Sequence, residues 1–153
     1  MEFVTYLLLS LNGRISRLSF WIGTAILWAI RFAAPYLIIA IVGLSERAVL
    51  IAILVAFALA YPTYALMAKR FQDRGKPGFI ALFAIVPVYA NNLLQTLRVI
   101  DPDEPTLLYH MLNYAVIGIG LWLLVELGCL KGTQGPNRYG PDPLGRAEAD
   151  ARF

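Results

Sequence analysis

Four apolar blocks, each long enough to cross a lipid bilayer, dictate what this chain can become. They run Phe20–Val42, Ala48–Met67, Gly78–Leu97 and Leu107–Leu130. At about 1.5 Å per helical residue, about 20–24 residues span a hydrocarbon core of ~30 Å. An isolated segment can do so only as a helix, because lipid offers no partner to a free backbone N–H or C=O. The expectation is an all-α integral membrane bundle: four transmembrane helices plus a short N-terminal interfacial helix. A soluble four-helix bundle needs polar faces at helical spacing, and the second block has none. Composition argues the same way. Of 153 residues, 59% are hydrophobic and 15% charged, where soluble domains carry roughly 45–50% and 25%.

The connections set the threading. Arg14 and Arg17 precede the first block, Lys69, Arg70, Arg74 and Lys76 lie between the second and third, and Lys131, Arg138, Arg146 and Arg152 follow the fourth. On the other side stand only Arg47 and Arg98, with Glu46, Asp101, Asp103 and Glu104. The positive-inside rule therefore puts both termini and the middle loop of this multi-pass chain in the cytoplasm. The chain reads as one membrane domain, 1–153, with residues 1–19 as an N-terminal interfacial segment.

Within that segment Phe3–Leu11 is too short to span and is expected to lie on the cytoplasmic leaflet as a helix. No basic residue precedes it, so it does not read as a cleaved signal peptide. The tail 131–153 changes character: four Gly and three Pro between Lys131 and Gly145 favour successive turns. In the middle loop Gly75 suits the end of the second span and Pro77 the start of the third. Pro35, Pro62 and Pro87 sit inside spans, where kinks are expected. Cys129, the single cysteine, reads as a small apolar residue.

Polar groups inside the membrane need partners. Counted from the outer helix ends, Asn91 and Asn113 lie at one level, with Gln95 and His110 nearby, so these four are expected to meet across the third and fourth spans. They serve as interhelical glue, or else as a polar path. Arg31 and Glu126 differ in depth by about 12 Å. Their side chains lean toward each other, since each leans toward its own helix N-terminus. The alternative to a direct pair has Glu126 on a basic residue of the cytoplasmic face and Arg31 on carbonyls freed near Pro62 or Pro87.

Enzyme signatures are sparse: no GxSxG elbow, no GxxxxGK[ST] loop, no HExxH and no paired Cys/His set. No catalytic residue, no metal and no cofactor is expected, and the lone histidine lies away from the basic loops. Positive charge is explained by topology rather than by nucleic acid.

Three segments at the cytoplasmic helix ends carry a resemblance. Leu11-Asn12-Gly13-Arg14-Ile15-Ser16-Arg17 with Phe20-Trp21 resembles an F-x-G-R-x-x-R-x-x-F-W opening. Lys69 through Phe79 resembles R-R-L-H-D-x-G-x-S-G-W, and Lys131 through Pro143 resembles K-G-x-x-G-x-N-x-Y/F-G-x-D-P. These motifs, in this order, are similar to those of the domain of unknown function 805 family, small bacterial inner-membrane proteins. The resemblance covers nearly the whole chain and implies four spans with no established activity. Gln72 stands where the pattern has His, Ser19 where it has an acidic residue, and Pro77 and Phe79 where it has Ser and Trp.

Arg14, Arg17, Lys69, Arg70, Asp73, Arg74, Asn137, Arg138 and Asp142 thus share one membrane face. Arginine forks match phosphate geometry. The expected role is a non-catalytic interaction or membrane-organising module, holding anionic lipid or an acidic partner segment. In the competing structural role, Asp73 and Asp142 pair with the arginines and lock the loops together. The alternative function is a small transporter or channel subunit using the polar residues of the third and fourth spans, which would require a homo-oligomer. A lipid-modifying enzyme is the third class, held open only because membrane active sites can be poor in motifs.

Overall fold

The computed structural model of the chain describes residues 2–145, which are all-α apart from turns and one isolated bridge between Asn137 and Gly140. Met1 and residues 146–153, including Arg146 and Arg152 of the charge argument, lie outside the described residues. Helix α1 (Glu2–Leu9) precedes α2 (Arg17–Val42), α3 (Glu46–Asp73), α4 (Ile80–Thr96) and α5 (Leu107–Leu123). From α5 the chain runs straight into one π-helical turn, Leu124–Cys129.

Among the described residues three helices are long and apolar enough to cross a membrane: α2, α3, and α5 with its π turn. Only 11% of the most apolar stretch of α2, and of α3, is buried within the chain. Trp28, Phe32, Tyr36, Ile41 and Leu54 point outward, a surface that is stable against lipid and not against water. Helix α4 is also apolar, but its 17 residues reach only ~25 Å. The third expected span is shortened because Pro77–Phe79 forms a turn, with the Ile80 N–H on the Pro77 carbonyl at 3.3 Å.

Local chemistry sets the helix ends. Ser16, Ser45 and Thr106 cap α2, α3 and α5 by accepting from the N–H groups of Ser19, Ala48 and Tyr109, which satisfies donors that no helical carbonyl can reach. At the end of α3, Gly75 takes the left-handed φ of +73°. The Lys76 N–H then returns to the Phe71 carbonyl at 2.9 Å, the six-to-one bond of a Schellman ending. Pro35, Pro62 and Pro87 lie within unbroken α2, α3 and α4.

Packing is uneven along the bundle. The end carrying Arg14, Lys69, Arg70 and Lys131 is called the basic end here. The core of Leu7, Ile15, Phe20, Leu66, Phe71 and Leu127 gathers there. Helix α1 packs on α3 and α2 through fully buried Leu7, while Phe3, Val4 and Leu9 stay exposed. Helices α2 and α4 both pack on α3 and not on each other, and α5 leans on α4 and reaches α2 only through its π turn. Toward the opposite end few residues are buried, Ala48, Asn91 and Ile100 among them.

Candidate functional site

The three motif segments converge at the basic end around Asp73, the last residue of α3. Arg14 reaches it from the loop before α2, Nε to Oδ1 at 3.0 Å, and Arg70 Nη1 donates to Oδ2. These three groups are 5%, 1% and 3% exposed for Arg14, Arg70 and Asp73. Two arginines on one carboxylate leave an excess positive charge, and main-chain carbonyls surround it. Arg14 Nη2 donates to Thr133 O at 2.6 Å and Nη1 to Gly135 O at 2.6 Å. Arg70 donates to Leu127 O at 2.8 Å and Leu130 O at 2.6 Å. Leu127 O and Leu130 O lie at the C-terminal end of the last helix, where carbonyls carry the negative end of the helix dipole and attract cations; Thr133 O and Gly135 O belong to the tail.

The carbonyls of the π turn and of Leu130 just after it face α2 and α3. A helix leaves its last four carbonyls without helical partners. Here Leu127 and Leu130 serve Arg70, Gly128 accepts from Trp21 Nε1 at 3.4 Å, and Cys129 accepts from Arg17 at 3.2 Å. Each is held by a side chain of α2 or α3. The Phe-Trp pair divides its labour: Phe20 enters the core, while Trp21 covers Gly128, whose replacement by any larger residue would put a Cβ 2.6 Å from the indole.

Helix α1 ends in the same manner. Lys69, fully buried, donates from Nζ to the Tyr6 carbonyl and to Leu7 O at 2.9 Å, and lies 4.8 Å over the Tyr6 ring. Tyr61 donates to Leu9 O at 2.9 Å and Gln72 to Leu11 O at 3.1 Å. Gln72, at the position where the family pattern has His, thus ties the N-terminal loop to α3.

The tail closes the plate. The Thr133 N–H and hydroxyl both donate to Asp73 O at 2.9 Å, and Asn137 Nδ2 donates to Gln72 O at 3.0 Å. Gly132 passes so near Asp73 that a Cβ there would overlap its carboxylate. Asp142 forms no ion pair with an arginine among the described residues, which corrects the expectation that it pairs as Asp73 does. It accepts instead from Leu144 N–H at 2.9 Å and Gly135 N–H at 3.1 Å. The bond from Leu144 is the first cause that holds its carboxyl below the usual range, with Gly135 and the charge of Arg14 adding to it.

Glu126 pairs with Arg74 at 2.8 Å and Lys76 at 2.5 Å, so the direct pair with Arg31 does not form. Arg31 lies 5.7 Å over the ring of Tyr89 on α4, with no bond to carbonyls near Pro62 or Pro87. Among the other intramembrane groups, Asn91 and Gln95 both donate to Asn113 Oδ1, at 3.5 and 3.4 Å. His110 does not join them: it is exposed and stands between the rings of Tyr109 and Tyr114. Equal depth fixes a level along the axis and says nothing of direction around it. The face of α5 turned to α4 carries Asn113, and His110 is rotated off it.

The arrangement is fitted to hold loops. Both oxygens of Asp73 are taken by arginines, and among the described residues no three His, Cys, Asp or Glu side chains gather closely enough to bind a metal ion. Residues 8–141 match the model of a family described as "Protein of unknown function (DUF805)". The chain belongs to the DUF805 family. It is 33% identical over 141 residues to "Uncharacterized protein YiiR" of Escherichia coli strain K12, covering 88% of this chain and 86% of the relative. The protein of the same name in Escherichia coli O157:H7 matches to the same extent. No solved structure matches the chain. Among its described residues this DUF805 protein has five α-helices, several of them long and apolar enough to cross a membrane, and it has no known activity. Tyr61 was not singled out in the sequence, and Trp21 and Gly132 stood inside the first and third motifs without a role; a Gly that follows a basic residue at a helix end was the available signal for the last.

Proposed function

We propose that this DUF805 protein is a non-catalytic module of the bacterial inner membrane, both termini cytoplasmic, whose basic end binds anionic lipid headgroups. The topology rests on the one-sided Lys and Arg distribution. The observation that carries the binding reading is a division of labour among the cations. Arg14, Lys69 and Arg70 are buried and spent on Asp73 and on carbonyls. Arg17, Lys131 and Arg138 stand exposed around them. Arg138 is stacked 4.7 Å from its Tyr139 ring, so its guanidinium is held in place. A rigid plate fixes a rim of charge at headgroup level, where each cation contributes about 1 kcal/mol toward an anionic leaflet.

The experiment is lipid retention by the full chain purified into phosphatidylcholine nanodiscs with added phosphatidylglycerol. The triple variant Arg17→Gln, Lys131→Gln, Arg138→Gln should retain the anionic lipid about a hundredfold more weakly, at about 1.4 kcal/mol per factor of ten. Equal retention by a folded triple variant would exclude the reading. The transport alternative has thinner support, because Asn91, Gln95 and Asn113 bond one another and His110 is turned away.

A further inference from the structure

Helices α2 and α4 stand apart on α3 and leave a groove through the apolar zone. It holds two cavities of about 370 and 210 Å³, one toward each end of the bundle, and both are lined by Arg31, Leu59 and Tyr89. The larger has a floor of Ala52, Ala56 and Leu59 and a polar edge at Asn92, Gln95 and Thr96. The smaller runs past Thr24, Leu27 and Met67 toward the basic end. Arg31 therefore sits at the waist of a long, largely apolar channel that is open sideways.

Arg31 makes no ion pair among the described residues. It lies eleven residues from the end of α2, about 16 Å, and fourteen from its start, about 21 Å. The described carboxylates all lie at helix ends or in loops, so none of them shares that depth. A second copy would bring another arginine to the same level, not an anion. An intramembrane cation without an anion beside it is costly by several kcal/mol, the Tyr89 ring offsets only part of that, and the cation sits where a slender guest would fit.

We infer that the α2–α4 groove binds a long-chain fatty carboxylate, with Arg31 holding the carboxylate and the acyl chain lying in the apolar lobes on α3. Size supports a small amphiphile, since a cavity of about 370 Å³ falls in the range of roughly 300–1,000 Å³ that takes small molecules. Charge requires one anionic group. Depth selects the carboxylate: phosphates of bilayer lipids stay at the two surfaces, about 15 Å from the middle of a ~30 Å core. A carboxylic acid crosses that distance neutral and ionises against the guanidinium, giving its proton to water. Each buried methylene adds about 0.8 kcal/mol.

The test uses the full chain in phosphatidylcholine nanodiscs and a long-chain fatty carboxylate bearing a mid-chain diazirine, beside the matching fatty alcohol. The carboxylate should bind at least tenfold more tightly than the alcohol and crosslink to α2, α3 and α4. Arg31→Gln should erase that preference while alcohol binding persists, and Ala56→Phe, which fills the floor, should weaken both. Equal binding of acid and alcohol to the native chain overturns the inference, as does an undiminished preference in R31Q. Displacement of the probe by phosphatidylglycerol at equal concentration would move the site to phospholipid and overturn the carboxylate. A stoichiometric membrane protein held by the native chain but not by R31Q, and excluding the probe, would assign the groove to an acidic helix instead. Should R31Q fail to fold, the acid–alcohol comparison on the native chain and the A56F variant decide alone.

Discussion

Asp73 answers to two arginines and, through its own carbonyl, to the tail. A buried pair that loses one partner leaves an uncompensated charge, at about 3–5 kcal/mol, and Asp73→Ala strands Arg14 and Arg70 together. The expected result is a drop of that order in unfolding free energy and release of the tail, read by thermal unfolding in detergent and by protease cleavage after Lys131. Gly132→Ala tests the same contact from the other side, because its Cβ would overlap the Asp73 carboxylate. Overpacking of this kind costs about 1–3 kcal/mol. Arg138→Gln, on the exposed rim, should stay within about 0.5 kcal/mol of the native chain. A Gly132→Ala variant as stable as the native protein would show that the tail does not rest on Asp73.

Helix ends are where this protein keeps its polar chemistry. Lys69 supplies two carbonyls of α1 with donors, so Lys69→Met should leave both bare, at about 1–3 kcal/mol each. Hydrogen exchange should then quicken across Glu2–Leu9 with little change in α2 to α5; protection of α1 unaltered in the variant would mean that Leu7 alone holds it. The tail has its own switch. Asp142 is ionised more readily than an ordinary carboxyl because Leu144 and Gly135 donate to it. A depressed value means that its contribution is complete above the ordinary Asp pKa, about 3.9, and is lost as pH falls through the lower folded value. Amide exchange at Gly135 and Leu144, corrected for intrinsic rate, should therefore rise only in that acid window, and Asp142→Asn should exchange fast at every pH. The helices themselves were legible in the sequence because a bilayer admits little else, and Gly75 was legible as a cap because a left-handed φ selects glycine. The π turn was not. Its extra residue per turn leaves no periodic mark in Leu124–Cys129, yet it decides that Glu126 meets Arg74 and Lys76. Arg31 over Tyr89 was equally hidden, since it depends on how two helices 58 positions apart in sequence are rotated about their axes.

The molecule as a whole is clamped at one end and open at the other. Buried Phe20, Leu66, Phe71 and Leu127 lie beside the arginine plate, while on the far side of Arg31 α2 and α4 flank a cavity of about 370 Å³. Close-packed regions have one arrangement, and regions lacking contacts on one side do not. Spin labels can compare the two ends directly once Cys129, the one native cysteine, is replaced by Ser. Labels at Leu18 and Phe79, both exposed near the plate, should give a narrow distance distribution in lipid nanodiscs. Labels at Ile41 and Leu97, exposed at the far end, should give one at least twice as broad. If the α2–α4 groove holds a fatty carboxylate, adding that probe should narrow the second distribution and leave the first unchanged, because the buried core beside the plate already fixes the first. Equal widths at both ends without any probe would mean that α3 alone fixes α2 and α4 along their length, and the asymmetry of packing would then have no consequence for motion.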